Sequence, residues 1–236
     1  MNISPQFSGI LLFDKPKGIT SHDAVDLLRR RLNFRKVGHT GTLDPMATGL
    51  LVMLLGPATK YQAGLQHCAK VYGGTIRLGV ETDTWDAEGK VLKEMPVTGV
   101  TQERIKGIIG FFTGKVVQQI PAFSAVRYKG KHLYKLARKN TAVPTLRREV
   151  NIKWKNYSFK SPCLNFEVEC SGGTYVRSIA YEIGRMLGTG GHLSELCRLK
   201  VNRWKVDDAL SREALQKLPL EALKARLLEV PPDLIA

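Results

Sequence analysis

The sequence predicts an α+β protein. Short apolar runs bounded by glycine or proline are typical of buried strands, and residues 50–55 are the clearest example. Between such runs, apolar residues recur at helical spacing behind capping residues, as in 101–112, where Thr101 is the predicted cap and Glu103 lies in the first turn. The alternation of strands and helices predicts the fold class but does not single out a strand order.

The first half of the chain is predicted as strand, helix, loop, strand, short helix and strand. An apolar strand at 10–13 is followed by Ser21, which is placed to cap a helix with an apolar stripe. The strand at 50–55 follows a glycine-rich loop, and a short helix starts at 58–61. Residues 70–80 alternate well enough to form a further strand.

The second half alternates in the same way. The pattern predicts, in order, a helix at 101–112, strands at 115–120, 150–159 and 164–169, and a helix that begins at Val176. The end of the chain, about 211–236, is predicted as one or two amphipathic helices broken at Pro219. The length suits one large domain or two small ones, and the sequence holds no internal repeat or low-complexity linker.

The charge balance indicates a polyanionic partner. The 236 residues include 36 Lys and Arg against 21 Asp and Glu, for a net charge of +15. Such a balance favours nucleic acid or an anionic membrane surface. No apolar run is long enough to span a bilayer, and residues 1–6 lack the features of a secretory signal. Nucleic acid is therefore the predicted partner, with no membrane involved.

The cysteines predict neither a metal centre nor disulfides. None of the four forms a Cys-x-x-Cys pair or lies near a histidine at zinc spacing. We expect reduced, structural thiols in a cytoplasmic protein.

One carboxylate stands out in residues 37–51. This stretch holds three glycines, Pro45 and a single acid, Asp44, and leads directly into the apolar strand at 50–55. A reactive group is commonly held in this way, on a loop fixed by a rigid scaffold. Asp before Pro is also a common turn, however, and many glycine-rich loops have no chemical role. A phosphate-binding loop is disfavoured, because no Gly-Lys-Ser/Thr follows.

Basic and aromatic residues alternate in 127–149. The segment contains eight Lys and Arg but one acid, Glu149, and includes Tyr128, His132 and Tyr134. A run of charge is usually a solvated face. Cations interleaved with aromatic rings instead suit phosphates and exposed bases together, which favours RNA binding.

Arg177 lies near the start of the helix that begins at Val176. The helix dipole favours anions there, so a cation indicates a specific carboxylate partner, with a surface phosphate contact as the alternative. Upstream, residues 81–89 form a cluster of carboxylates. This composition suits either Mg²⁺ or a solvated loop between strands.

The loop sequence resembles a known family. Residues 38–45, Gly-His-Thr-Gly-Thr-Leu-Asp-Pro, with Ala-Thr-Gly-Leu-Leu at 47–51, closely resemble the signature of the TruB/dyskerin family of tRNA pseudouridine synthases. The resemblance implies that Asp44 is the catalytic aspartate. It also implies that His39 contacts the RNA where the target uridine is flipped out. Sequence does not decide whether the carboxylate attacks C1′ of the ribose or acts as a base.

Further blocks extend the resemblance. Residues 172–178 resemble the second signature, whose arginine, here Arg177, pairs with the catalytic aspartate. Residues 191–199 resemble the third, although Cys197 stands where many members have an arginine. The resemblance implies catalytic roles for Asp44, Arg177 and Tyr72, substrate contacts from His39, Tyr72, Tyr175 and Leu196, and RNA-backbone contacts from Lys15, Lys17, Arg127, Lys129, Lys131, Arg138 and Arg198. On sequence alone, a strand tyrosine such as Tyr72 is more often core packing.

The resemblance also implies a fold and an activity. The fold is a single catalytic domain over residues 1–236, built on a mixed, largely antiparallel central sheet flanked by helices, with a basic RNA-binding insertion at about 121–149 and no PUA-like domain. The activity is isomerisation of uridine 55 in the T loop of tRNA, without cofactor or metal, so that 81–89 is expected to be a solvated loop. The partner is the tRNA T-arm, bound by a monomer with no obligatory protein partner.

Two alternatives accompany this interpretation. A non-catalytic RNA-binding or tRNA-folding module accounts for the charge equally well. A guide-RNA-dependent synthase acting on ribosomal RNA is disfavoured by the compact length.

Overall fold

The fold was analysed in a computed structural model, which describes residues 7–139 and 141–231. In chain order the strands are β1 (Gly9–Lys15), β2 (Val37–His39), β3 (Thr48–Leu55), β4 (Lys70–Leu78), β5 (Val80–Thr82), β6 (Val91–Glu94), β7 (Gly114–Gln119), β8 (Arg127–Tyr128), β9 (Lys131–His132), β10 (Arg147–Lys160), β11 (Cys163–Cys170), β12 (Gly191–Val201) and β13 (Trp204–Lys205). The predicted strands are thus confirmed, while β12 is a long strand that the sequence pattern did not indicate.

The α-helices are α1 (Ser21–Leu32), α2 (Gln62–His67), α3 (Gln102–Phe111), α4 (Leu133–Ala137), α5 (Val176–Leu187), α6 (Arg212–Lys217) and α7 (Leu220–Lys224). Two 3₁₀ helices cover Gly56–Tyr61 and Val206–Asp208. The helix break at Pro219 is confirmed, and the last residues of the predicted stretch 211–236 lie outside the described range. None of the helices in 7–139 and 141–231 is long and apolar enough to cross a membrane.

The described chain divides into two compact units. The first unit is Met1–Tyr72 with Leu196–Ala236, and the second is Gly73–Glu195. In the first unit, β3 pairs antiparallel with β1 and β2 and parallel with β12, which pairs antiparallel with β13. In the second unit, strand order runs β12-β4-β11-β10-β7, and β10 is antiparallel to both neighbours. The predicted mixed, mostly antiparallel sheet is therefore confirmed.

Both faces of the sheet are buried in the first unit. One face packs against α1, α6 and α7, and the other against the 3₁₀ helix Gly56–Tyr61, α2 and β13. Residues of β1 and β3 alternate between the two clusters, so that Leu51 and Met53 belong to one and Leu50 and Val52 to the other. This explains the unbroken apolar run at 50–55, since a strand covered on both sides needs no polar face.

The N-cap of α1 lies one residue before the predicted cap, Ser21. Thr20, not Ser21, is the N-cap: its hydroxyl accepts from the Asp23 N–H at 3.0 Å, and the Asp23 carboxylate accepts from the Thr20 N–H at 2.8 Å. This reciprocal capping box satisfies two helix-terminal donors. Ser21 is consequently free to bond elsewhere. The predicted cap of α3, Thr101, is confirmed by its bond with the Arg104 N–H at 3.3 Å.

Helix α5 packs its apolar stripe in the second unit. Ile179, Ala180 and Ile183 are buried, as the helical spacing predicts, and the helix ends before Gly188, which has a left-handed conformation with φ 77°. At the other end of the helix, the Ser178 Oγ donates to the Gln119 carbonyl of β7 at 2.7 Å. This bond holds the N-terminal end of α5, where Arg177 lies, against β7.

Gly49 allows the backbones of β3 and β12 to approach closely. Its φ is +97°, and a Cβ there would lie 2.5 Å from the carbonyl oxygen and 2.7 Å from the nitrogen of Arg198. We expect Gly49→Ala to lower the free energy of unfolding by about 2–4 kcal/mol, since neither backbone atom can move away cheaply.

Urea denaturation tests this prediction, with Gly64→Ala as the matched control. Gly64 lies in α2 with open space around it, so alanine there is expected to be neutral or to stabilise by up to about 1 kcal/mol. Equal stability of Gly49→Ala and the unchanged protein would contradict the close approach.

Candidate active site

Asp44 lies on the loop of residues 40–47 between β2 and β3, and its N-terminal neighbour is fixed by one hydroxyl. The Leu43 N–H donates to the Ser21 Oγ at 2.8 Å, and the Ser21 Oγ donates to the Leu43 carbonyl at 3.1 Å. Both residues are buried. A single side chain thus satisfies both polar backbone groups of Leu43, which would otherwise be costly to bury.

The C-terminal neighbour of Asp44, Pro45, is fixed through its carbonyl, which accepts two hydrogen bonds. Its carbonyl accepts from the Gly18 N–H at 2.8 Å and from the Lys15 Nζ at 3.3 Å. The Ala47 N–H closes the turn on the Asp44 carbonyl at 3.1 Å. The half-buried Asp44 is therefore held between two anchored residues.

The prediction that Lys15 meets RNA phosphates is wrong. Its exposed fraction is 0%, and its ammonium also donates to the carbonyls of Pro16 at 3.0 Å and Ile19 at 2.8 Å. A buried ammonium has three protons to satisfy, and here three carbonyls accept them. Lys17, two residues later, is exposed and remains accessible to phosphate.

The prediction that Arg198 contacts the RNA backbone is also wrong. Arg198 is only 1% exposed, and its Nε donates to the Leu50 carbonyl at 2.6 Å. A terminal nitrogen donates to the Gly41 carbonyl at 3.1 Å. The guanidinium thus ties the start of the Asp44 loop to β3 from within.

His39 is neutral at physiological pH. Burial, the nearby Arg198 cation and His22 lower the pKa of His39 from 6.5 to about 4. Its Nδ1 accepts from the Gly41 N–H at 3.3 Å, which places the proton of the neutral ring on Nε2. The side chain therefore offers one neutral donor beside the loop.

The first unit also holds Tyr72 and Leu196, which are both buried. The Leu196 carbonyl accepts from the Thr48 Oγ1 at 3.4 Å, so this residue adjoins the end of the Asp44 loop. Their predicted contacts with the substrate stay predictions.

In the second unit, Arg177 is buried and contacts a turn formed by residues 84–86. One terminal nitrogen donates to the Thr84 carbonyl at 3.0 Å and lies 3.6 Å from the Asp86 Oδ2. The other donates to the Phe123 carbonyl at 3.1 Å. The cation at a helix start thus has a carboxylate close by, as the dipole argument predicts, within the second unit.

The prediction that 81–89 is a solvated loop is wrong at Asp86, which is buried. It is 4% exposed, and its Oδ1 accepts from the Thr84 Oγ1 at 2.5 Å and from the Glu88 N–H at 3.1 Å. Sequence reasoning missed it because a cluster of acids is usually solvated, and nothing in the pattern marks one member as buried. The described ranges 7–139 and 141–231 hold no group of three or more His, Cys, Asp or Glu placed to bind a metal.

Tyr175 precedes α5 and is half-buried. Its backbone N–H donates to the Oε1 of buried Gln118 at 3.2 Å, which links the helix start to β7. The ring's predicted place in a uridine pocket stays a prediction.

The basic insertion exposes its cations. Residues 127–132 form the hairpin β8–β9, followed by α4. The Lys129 Nζ lies 5.5 Å from the centroid of the Tyr128 ring, and the Arg138 guanidinium lies 5.6 Å from that of Tyr134. The predicted RNA-backbone residues Arg127, Lys129, Lys131 and Arg138 are all exposed.

Comparison with known proteins decides the family. Residues 29–176 match the model of the N-terminal domain of the TruB family of pseudouridylate synthases, which is more than half of the chain. The chain belongs to the TruB family. As a member, it is an enzyme that isomerises uridine to pseudouridine.

Two relatives are both named tRNA pseudouridine synthase B. The protein of Opitutus terrae is 42% identical over 226 residues, which cover 95% of this chain and 94% of that protein. The protein of Aromatoleum aromaticum is 46% identical over 215 residues, which cover 91% of this chain and 70% of that protein.

Solved structures share the fold. A Cbf5–Nop10–Gar1 complex matches with a TM-score of 0.69 and 24% identity, over 97% of this chain and 66% of the solved one. An H/ACA ribonucleoprotein bound to a substrate RNA containing 2′-deoxyuridine matches with a TM-score of 0.67 and 24% identity, over 92% of this chain and 58% of that one. At this identity the likeness shows the fold alone.

The pKa of His39 makes the stability of this TruB-family protein depend on pH. His39 binds a proton near pH 6.5 in the unfolded chain but only near pH 4 in the folded protein. As the pH falls below 6.5, protonation of His39 therefore favours the unfolded chain, and the stability present above pH 6.5 is lost progressively towards pH 4. We expect His39→Gln to remove about 1–2 kcal/mol of the stability difference between pH 7.5 and pH 5.

Chemical denaturation at both pH values measures this effect, with exposed His67→Gln as the control. An unchanged pH dependence in His39→Gln, or an equal change in the control, would show that His39 is not held neutral.

Proposed function

We propose that this enzyme converts uridine 55 in the T loop of tRNA to pseudouridine, with Asp44 as the catalytic carboxylate. The observation that carries the proposal is the fixed backbone on both sides of Asp44, held by Ser21, Lys15 and Gly18. The relatives named tRNA pseudouridine synthase B support tRNA as the substrate.

The reaction needs a positioned carboxylate and no redox step. The N1–C1′ bond of uridine breaks, the uracil turns, and a C5–C1′ bond forms. The hydrogen at C5 is lost as a proton, and N1 gains one, so substrate and product are isomers. Asp44 either attacks C1′ or removes a proton from the sugar, and in both roles it must be ionised.

Arg177 is proposed to keep Asp44 charged. Burial raises the pKa of a carboxyl group, whereas a cation within a few ångströms lowers it. Asp44 belongs to the first unit and Arg177 to the second, and their pairing rests on the family resemblance. The contacts of Arg177 with Thr84, Asp86 and Phe123 support the proposal because they fix the guanidinium and leave it few orientations.

Aromatic and apolar side chains are proposed to hold the flipped base. Tyr72 and Tyr175 supply ring faces, and Leu196 an apolar wall. Flipping a base costs a few kcal/mol, part of which neutral His39 offsets by filling the vacated stack. An uncharged imidazole suits this role because it enters a base stack with less desolvation than a cation.

The exposed cations are proposed to bind the RNA backbone. Lys17 and the basic insertion present charges to solvent. Phosphate contacts of this type make affinity fall steeply with salt. The same surface would also serve a non-catalytic tRNA-folding role, which can coexist with catalysis.

Replacement of the carboxylate tests the proposal. We expect Asp44→Asn to abolish pseudouridine formation at position 55 of a tRNA transcript while RNA affinity stays within about threefold, because an amide neither attacks C1′ nor accepts a proton. Pseudouridine is mapped by carbodiimide modification and reverse transcription, and affinity is measured by filter binding.

Asp207→Asn, an exposed carboxylate of the same unit, is the control and should retain full activity. Activity retained by Asp44→Asn would overturn the assignment of Asp44 as the catalytic carboxylate. Modification at another uridine, with position 55 untouched, would overturn the assigned site.

A further inference from the structure

The turn that binds Arg177 is held at a second point by an aromatic stack. The rings of Trp85 and Tyr181 lie nearly parallel, with centroids 4.4 Å apart and planes inclined by 11°. Trp85 is the central residue of the turn 84–86, between the carbonyl of Thr84 and the carboxylate of Asp86 that face Arg177. The stack therefore acts on the same turn as the guanidinium.

Helical spacing places both contacts on one face of α5. Arg177 and Tyr181 are four residues apart and so lie one turn from each other on the same side of the helix. One helix face thus engages three successive residues of the turn, two through the guanidinium and one through the phenol ring. Rotation or slippage of the turn would break all of these contacts together.

The backbone of the turn needs this support. Trp85 has a φ of 63°, a left-handed conformation that side chains other than glycine and asparagine rarely adopt. Such residues persist when their surroundings over-determine them. Here the Trp85 N–H donates to the Thr82 carbonyl at 3.3 Å, and the Leu193 N–H donates to the Trp85 carbonyl at 3.0 Å. These bonds fix one side of the turn, and the stack fixes the side that faces α5.

The phenol hydroxyl is not required for this contact. No hydrogen bond of the Tyr181 hydroxyl contributes to the contacts described above, and the ring alone forms the stack. Burial, with the nearby carboxylates of Glu81 and Glu182, raises the pKa of Tyr181, so the ring stays neutral at working pH. Phenylalanine at position 181 should therefore preserve the stack with Trp85.

We propose that Trp85 and Tyr181 are a positioning pair that orients Arg177 for the chemical step. The inference rests on the proposed function, which assigns Arg177 as the partner of the catalytic carboxylate. Neither ring needs to touch the substrate, since both act through the turn 84–86. The pair is thus expected to affect the rate of the chemical step and not the docking of RNA.

Truncation of the stack should lower kcat alone. Stacked aromatic pairs have modest energies, so we expect Tyr181→Ala to reduce kcat for pseudouridine formation about three- to tenfold with KM within about twofold. Tyr181→Phe should keep kcat within about twofold of the unchanged protein. Near-UV circular dichroism should show loss of the Trp85 signal in Tyr181→Ala but not in Tyr181→Phe.

Tyr157→Ala is the matched control. Tyr157 packs edge-on against Trp154 in the same unit, with centroids 6.5 Å apart, and contacts none of the Arg177 partners named above. Its removal should leave kcat unchanged.

A double variant tests whether the stack and the carboxylate act together. In an Asp86→Asn background, where the turn has lost its carboxylate, Tyr181→Ala should reduce kcat by less than about twofold further, because the effects of coupled residues are not additive.

Several outcomes would overturn the inference. They are a kcat of Tyr181→Ala within twofold of the unchanged protein, a rise in KM as large as the fall in kcat, or an equal fall in Tyr181→Phe. A fully additive double variant would also overturn it. Full activity of Asp44→Asn, by contrast, would remove the proposed function itself, so the two failures are distinguishable.

Discussion

The structure depends on how the backbone on either side of Asp44 is kept hydrogen-bonded while buried. Buried N–H and carbonyl groups must find partners, and an irregular loop has no ladder to supply them. Ser21 does this for Leu43, and Lys15 with Gly18 does it for Pro45. The shift of the α1 cap to Thr20 follows from this constraint, because Ser21 is committed to the loop.

Buried cations recur as anchors of irregular backbone. Lys15, Lys70 and Arg198 each donate to two or more carbonyls, and Arg177 adds a carboxylate to its two. An ammonium carries three donors and a guanidinium five, so one such cation satisfies several carbonyls at once. Part of the positive charge is therefore internal, whereas the basic insertion and Lys17 carry charges that face solvent.

Much of the fold followed from local pattern, and much of the site did not. The strand at 50–55 and the stripe of α5 were predictable because apolar periodicity directly reflects burial. Lys15 and Arg198 were misplaced because long cations usually extend to solvent, and only tertiary contacts reveal the exceptions. Thr20 and Ser21 are both good caps, so sequence could not choose between adjacent positions. The burial of Asp86 depends on α5, about ninety residues later, and no local signal reports it.

The most direct test removes one anchor and leaves the carboxylate. In Ser21→Ala, the N–H and carbonyl of Leu43 lose their partner, at a cost of about 1–3 kcal/mol for an unsatisfied buried group. Amide hydrogen exchange at Leu43 and the single-turnover rate of pseudouridine formation are measured together. We predict faster exchange and a rate at least about tenfold lower at saturating RNA. Faster exchange with an unchanged rate would contradict the claim that the fixed backbone positions Asp44.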